Sequence, residues 1–416
     1  MLMIREGVRR VNEPVVVDAS QERATDGALM EQNAGLATPK IAGLDFTPLE
    51  YVLPREKAYG MARGLNFRRT VALVTVTADD GSVGYGEALG PLAPIGEYLA
   101  LLRPFFIGRS IFDFELIAAS IYNRLYHFGV QGHHTAALSA INIALHDAIG
   151  KSLGVPVHDL IGGCSAPRIP CYATTGYLTN DPDNDFESQL GQVDKKLFAG
   201  VKIKIGVNPQ SDLERVRIAR RVLGDDILLM VDINGNYTVD IALESLRRIA
   251  PYEIHWCEEP LPPTDVRGYA ELRARSPIPI AAGEAFQTAH TFKRFTDARG
   301  LDILQPTVSS CGGFGQARAV ATLAALENLR LSPCGWGGAV TIMAGLHFAA
   351  SIPVNPHTDN VPYPMLLEFD VGDNPLRDRL VQEPIWPVEG GLELPKRAGL
   401  GITLDPDGVT ALRADR

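Results

Sequence analysis

The sequence predicts an α/β protein: a modified (β/α)8 TIM barrel carrying an α+β capping domain. Three observations lead there. From residue 169 onward, short apolar runs alternate with amphipathic stretches, giving eight expected strands with helices between them. Three of those strands end in carboxylates, Asp232, Glu258 and Glu284, spaced evenly by 26 residues. The strand before them ends in two lysines, Lys202 and Lys204, with Lys204 lying 28 residues ahead of Asp232. A parallel barrel aims the C-terminal ends of all its strands at one site, whereas an open doubly wound sheet concentrates its site at one switch point. Charged residues on many strand ends favour the barrel.

Taken in order, residues 1–40 are polar, mixed in charge and weakly periodic, and read as a flexible tail. Residues 41–163 read as the capping domain. Strands are expected at 49–53 and 71–77, the second turning through Asp79-Asp80-Gly81 into 83–87 as a hairpin. A helical block follows, with Ala137, Leu138, Ile141 and Leu145 forming one stripe. The barrel is assigned to 164–370, with strands at 169–173, 201–205, 227–233, 254–258, 278–283, 301–305, 330–333 and 365–369. Helices are expected at 213–223, 239–249, 314–326 and 339–351. Residues 371–416 are irregular and are expected to pack back and complete the cap.

Composition narrows the function. A net charge of −10 over 416 residues argues against nucleic acid as a partner, because phosphate binding needs a basic face. No apolar stretch reaches the ~18–20 residues of a membrane helix, and the start lacks the apolar segment of a signal peptide. The five cysteines, Cys164, Cys171, Cys257, Cys311 and Cys334, form no C-x-x-C pair, which reads as reduced thiols in a cytoplasmic protein.

The chemistry is concentrated on the strand ends. Lys202 and Lys204 sit at i and i+2 and share a face. They could be surface lysines on an edge strand, but Val201, Ile203 and Ile205 make this a buried strand. A like-charged neighbour and desolvation both lower a lysine pKa while the carboxylates oppose both, and a drop of roughly 2 to 3 units would make a lysine here a usable base. Strand-end carboxylates often cap the next helix. Capping explains one of Asp232, Glu258 and Glu284 more easily than three in phase, and three together call for a hard cation. Oxygen ligands alone indicate Mg2+ before zinc. Glu259 reads as a neighbour facing away or as a partner behind the ligands. Asn234, Gln305 and Glu368 are the candidate substrate-binding residues. A charge inside Met365-Leu-Leu-Glu-Phe369 is costly to bury without a purpose. Thr307 reads as polar lining, and Cys334 as a weak acid or a small filler. The glycines of Cys311-Gly-Gly-Phe-Gly315 and Gly84-Tyr-Gly86 fit neither phosphate-binding pattern. His133 and His134 read as the start of a helix.

The ordered set Lys202-x-Lys204, Val231-Asp-Ile-Asn234, Trp256-Cys-Glu-Glu-Pro260, Ala282-Gly-Glu284, Asp302-Ile-Leu-Gln-Pro306 and Leu366-Leu-Glu368 resembles the mandelate racemase branch of the enolase superfamily. The likeness runs from about residue 41 to the C-terminus. It implies a cap over a modified barrel, magnesium on Asp232, Glu258 and Glu284, Lys204 as base with Lys202 beside it, and Glu368 near the substrate. It also implies a homo-oligomer whose capping loops, here 55–68 and 88–97, choose the substrate. Val83-Gly-Tyr-Gly-Glu-Ala-Leu-Gly-Pro91 looks most like the sugar-acid group of that branch, its lactone cycloisomerases and dehydratases. One departure stands out: the branch usually has histidine after the proline of strand seven and aspartate at strand six, where this chain has Cys334 and Thr307. Two-base racemisation therefore loses support. The expected reaction takes the α-proton of a small-molecule carboxylate, a sugar acid or its lactone, to an enediolate that eliminates at the β-carbon. The alternatives are a racemase or epimerase of a hydroxy acid and a non-catalytic metal-binding barrel.

Overall fold

The computed structural model describes residues 38–128, 131–356, 358 and 360–414. Nearly all of the tail expected at 1–40 lies outside the described residues.

Three antiparallel strands, β1 (Ile41–Val52), β4 (Arg68–Ala78) and β5 (Val83–Ala88), form one sheet in the order β1-β4-β5. The expected hairpin is the β4–β5 pair. β1 begins well before its expected start at 49. A register shift lies between Ile41 and Gly43, and the strand then buries opposite faces in turn, Leu44 in the core with Val74 and Val76 and Leu49 in the core with Val71 and Leu73, which hides the period of two. The helix His133–Leu153 lies on β5. A side chain at Gly84 or Gly86 would collide with the helix carbonyls of Ala144 and Ala140, so these glycines serve close packing rather than a nucleotide. Between β1 and β4 lie β2 (Tyr59–Met61) and β3 (Gly64–Asn66), which form a second small sheet with β7 (Leu178–Thr179). The pairs Tyr59–Thr179 and Gly60–Leu178 tie this hairpin to the loop leaving the first barrel strand. Strands of two or three residues carry too little pattern for sequence to show them.

Eight parallel strands curl into the barrel: β6 (Arg168–Thr175), β8 (Gly200–Lys204), β9 (Leu228–Asp232), β10 (Ile254–Glu258), β11 (Ile280–Ala282), β12 (Ile303–Leu304), β13 (Arg330–Leu331) and β14 (Leu367–Asp370). All eight overlap the expected positions. β14 pairs with β6, and the Glu368 N–H donates to Pro333 O at 3.3 Å, joining the two ends of the strand path. Among the described residues, seven α-helices separate the strands, and the short helices Pro375–Asp378 and Pro406–Leu412 follow β14. β15 (Gly391–Glu393) runs antiparallel to β6, and the Ala414 N–H reaches Pro48 O at 3.0 Å, so the C-terminal segment returns to β1. A buried strut links sheet and barrel. The carboxylate of Glu87 on β5 accepts from the Gly338 N–H (2.6 Å) and the Thr341 hydroxyl (2.9 Å) at the start of the helix Ala339–Ser351.

Inside the barrel, Tyr172, Met230, Trp256, Ala281, Ile303 and Leu366 form an apolar plug. Side chains alternate along a strand, so two residues farther along each strand comes another inward-facing position. On five of these strands that position holds Thr174, Asp232, Glu258, Gln305 or Glu368. The polar site is the layer resting on this plug.

Candidate active site

β8 sends Lys202 and Lys204 into this layer, 0% and 5% exposed. Lys202 Nζ contacts Glu258 Oε1 and lies 2.9 Å from Glu368 Oε1 and 3.8 Å from Asp232 Oδ2. Lys204 Nζ donates to Asp232 Oδ2 at 2.6 Å. Of the opposing influences expected on these lysines, the carboxylates prevail in this arrangement. Burial pulls both ammonium groups down, but Glu258 and Glu368 outweigh it at Lys202, and Asp232 does so at Lys204. With the carboxylates as their counter-ions, both lysines are held charged.

Asp232, Glu258 and Glu284 each offer an oxygen, and these atoms all lie within 4.8 Å of one another. Burial raises the proton affinity of Glu258 and Glu284, and the neighbouring carboxylates add to it, so anionic charge is crowded here. Glu284 owes its place to Gly283. That residue has φ +153, and any Cβ would press on the Gln305 backbone at 2.6 Å, so only glycine fits. Asn234 has φ 52, which asparagine tolerates; its N–H donates to Asp232 Oδ1 (2.9 Å) and its amide reaches Glu284 Oε1 (3.4 Å). Glu259 is buried behind the ligands, where burial and then Glu284 keep its carboxyl well above the usual range. The donor set is all oxygen, with no histidine or cysteine in the cluster. It fits a hard divalent cation.

The remaining candidates fall around this centre. Gln305 donates to Glu258 Oε2 at 2.6 Å. Glu368 accepts from the Thr174 hydroxyl (2.6 Å) and from the Cys334 thiol (2.9 Å). Burial pushes Glu368 up, but Lys202 and Lys204 outweigh it and hold it an anion. Burial and then Glu368 push the Cys334 thiol well up, so it stays protonated and bound to that carboxylate. Thr307, two residues beyond Gln305, is buried as well.

Sequence reasoning named the capping loop 55–68 without its contacts. Arg63, on the turn between β2 and β3, donates to Gly235 O at 3.2 Å, just past Asn234. Nearby, buried Arg69 pairs with Asp370 at 2.8 Å, and the Tyr177 hydroxyl donates to the same carboxylate at 2.9 Å. No local pattern marks these partners, which meet only through the fold.

Two family models match the chain: "Enolase C-terminal domain-like" over residues 185–408, and "Mandelate racemase / muconate lactonizing enzyme, N-terminal domain" over 49–162. The chain belongs to the mandelate racemase branch of the enolase superfamily. Among its relatives in this family, the D-galactarolactone cycloisomerase of Agrobacterium fabrum is 37% identical, over 83% of this chain and 92% of that one. The arabinonate dehydratase of Saccharolobus solfataricus is 30% identical, over 82% and 89%. These enolase-superfamily relatives are a lactone cycloisomerase and an acid-sugar dehydratase, an isomerase and a lyase, as the motifs led one to expect. A racemase of the same fold from Streptomyces coelicolor A3(2), solved with bound magnesium, is 30% identical with a TM-score of 0.78, covering 90% of this chain and 100% of that one. Among the described residues, no helix is long and apolar enough to cross a membrane.

Proposed function

We propose that this enolase-superfamily chain removes the α-proton of a sugar acid or its lactone and eliminates at the β-carbon. The observation that carries the reading is the convergence of Asp232, Glu258 and Glu284, with Lys204 only 2.6 Å from Asp232. The three carboxylates would hold Mg2+, which when bound would fix the substrate carboxylate, spread the enediolate charge and, by taking over Asp232, lower the proton affinity of Lys204.

Lys204 then takes the α-proton, and the C–H electron pair enters the enediolate. Collapse of the enediolate breaks the β C–O bond. From an open-chain acid, hydroxide leaves as water on taking a proton, and the resulting enol ketonises by adding a solvent proton at the β-carbon. From a lactone, the ring oxygen leaves and stays attached, so the product is an isomer. Lys202 neutralises Glu258 and Glu368 beneath the reacting carbon, and Asn234 holds Asp232 and Glu284 in place. Glu368 keeps the Cys334 thiol protonated, so that group is no second base. This is why elimination is the reading and racemisation is not.

In the same reading, residues 41–163 with 371–416 act as the cap and 164–370 as the catalytic barrel. The protein would self-associate, as the family resemblance implies, and would work in the cytoplasm, consistent with five free thiols.

The test is a library of sugar acids and lactones incubated with magnesium and scored for 2-keto acid formation or lactone isomerisation. At least one substrate should react in a magnesium-dependent way. Exchange of the α-proton without loss of the β-oxygen would instead establish an epimerase.

A further inference from the structure

β12 stands across the barrel from β8, four strand steps away around the ring. The lysines rise from one wall of the site, and Gln305 and Thr307 rise from the opposite one. Main-chain bonds from the Gln305 N–H to Ala282 O (3.1 Å) and from the Cys334 N–H to Pro306 O (3.2 Å) carry the extended chain beyond the end of β12. Residues 303, 305 and 307 therefore share the inward face, with Ile303 in the plug below.

Gln305 and Thr307 are 1% and 2% exposed. Gln305 commits its amide N–H to Glu258, yet its Oε1 has no hydrogen-bond partner among the described residues, and neither does Thr307 Oγ1. Enclosed polar atoms are nearly always paired, and an unpaired hydroxyl carries a desolvation cost. Valine would fill the Thr307 volume without that cost. An amide oxygen and a hydroxyl on successive inward positions are uncharged, and together they can both accept and donate. That suits neutral hydroxyl groups rather than a second carboxylate or a cation.

We propose that Gln305 and Thr307 form a hydroxyl-reading wall that receives chain hydroxyls of a polyhydroxylated acid, which makes Thr307 a specificity-determining residue. The inference rests on the sugar-acid reading above and deepens it. With the α-carbon turned toward Lys204, the chain hydroxyls on the far side meet this wall. An epimer that turns such a hydroxyl away loses the contact.

The experiment compares wild type, Thr307→Val and Thr307→Ser in magnesium. Calorimetry gives affinities for galactarate, glucarate and galactonate against adipate and hexanoate, which keep the carbon chain and lack its hydroxyls. Turnover of the same acids and of their lactones, and the melting temperature, are recorded alongside. Wild type should prefer at least one polyhydroxy acid over its plain counterpart. Thr307→Val should lose roughly tenfold of that preference, as expected for one hydrogen bond, and Thr307→Ser should retain it. Thr307→Val should melt no lower than wild type, because it removes an unpaired hydroxyl. The proposal falls if Thr307→Val keeps the full preference, if wild type shows none, or if Thr307→Val melts lower and so reveals a structural bond. Hydroxyl-dependent binding without turnover of any of these acids or of their lactones would uphold the wall and overturn the reaction.

Discussion

Replacing Lys204 with alanine is expected to cut turnover by roughly a hundred- to ten-thousand-fold, the range for loss of a positioned general base. The variant should still bind the cation, since Asp232, Glu258 and Glu284 remain and lose only a competing positive charge. The same substitution should abolish appearance of solvent deuterium at the β-carbon of the keto product, because ketonisation follows removal of the α-proton. Single-turnover assays in D2O with saturating magnesium separate the two effects. A Lys204→Ala enzyme with normal cation affinity and normal turnover would leave the site without its base. Lys204→Arg should fare little better, because guanidinium stays charged at any working pH.

The second large effect concerns stability. Lys202 is fully buried and faces Glu258 and Glu368, so Lys202→Met leaves two enclosed carboxylates short of a counter-charge. Removing one partner of such a cluster costs about 3–5 kcal/mol. The loss should be largest in EDTA. Magnesium should restore part of it, because a cation that binds the folded state adds stability by mass action and supplies the missing charge. Urea unfolding of wild type and Lys202→Met, each with EDTA and with excess magnesium, measures this. Equal destabilisation in both conditions would mean that Lys202 and the cation do not share the carboxylates.

The barrel was legible because its strands are short apolar runs and its site residues fall at matching points of a repeated strand–helix unit. Asp232, Glu258 and Glu284 were visible as a group through their 26-residue phase alone. Other features had no such signal. The bulge near Ile41 and burial of opposite faces at Leu44 and Leu49 blurred the alternation of β1, and β2, β3 and β7 are too short to show any. Arg63 meets Gly235 across 172 residues, and Glu87 meets Gly338 across 251, so their roles appear only once the chain is folded. The balance of influences on the lysines was hidden for a related reason. Sequence set burial and a like-charged neighbour against the carboxylates, but the distances from Asp232, Glu258 and Glu368 to the two ammonium groups, which decide that balance, appear only in the fold.

Manganese titration followed by electron paramagnetic resonance tests most directly whether three carboxylates and a lysine form a cation-dependent site. Wild type should take up one ion per chain, displaceable by magnesium. Asp232→Asn, Glu258→Gln and Glu284→Gln should each weaken that uptake sharply, while Lys204→Ala should not. A wild-type protein that binds no ion, or carboxylate variants that bind it as well as wild type does, would contradict the account.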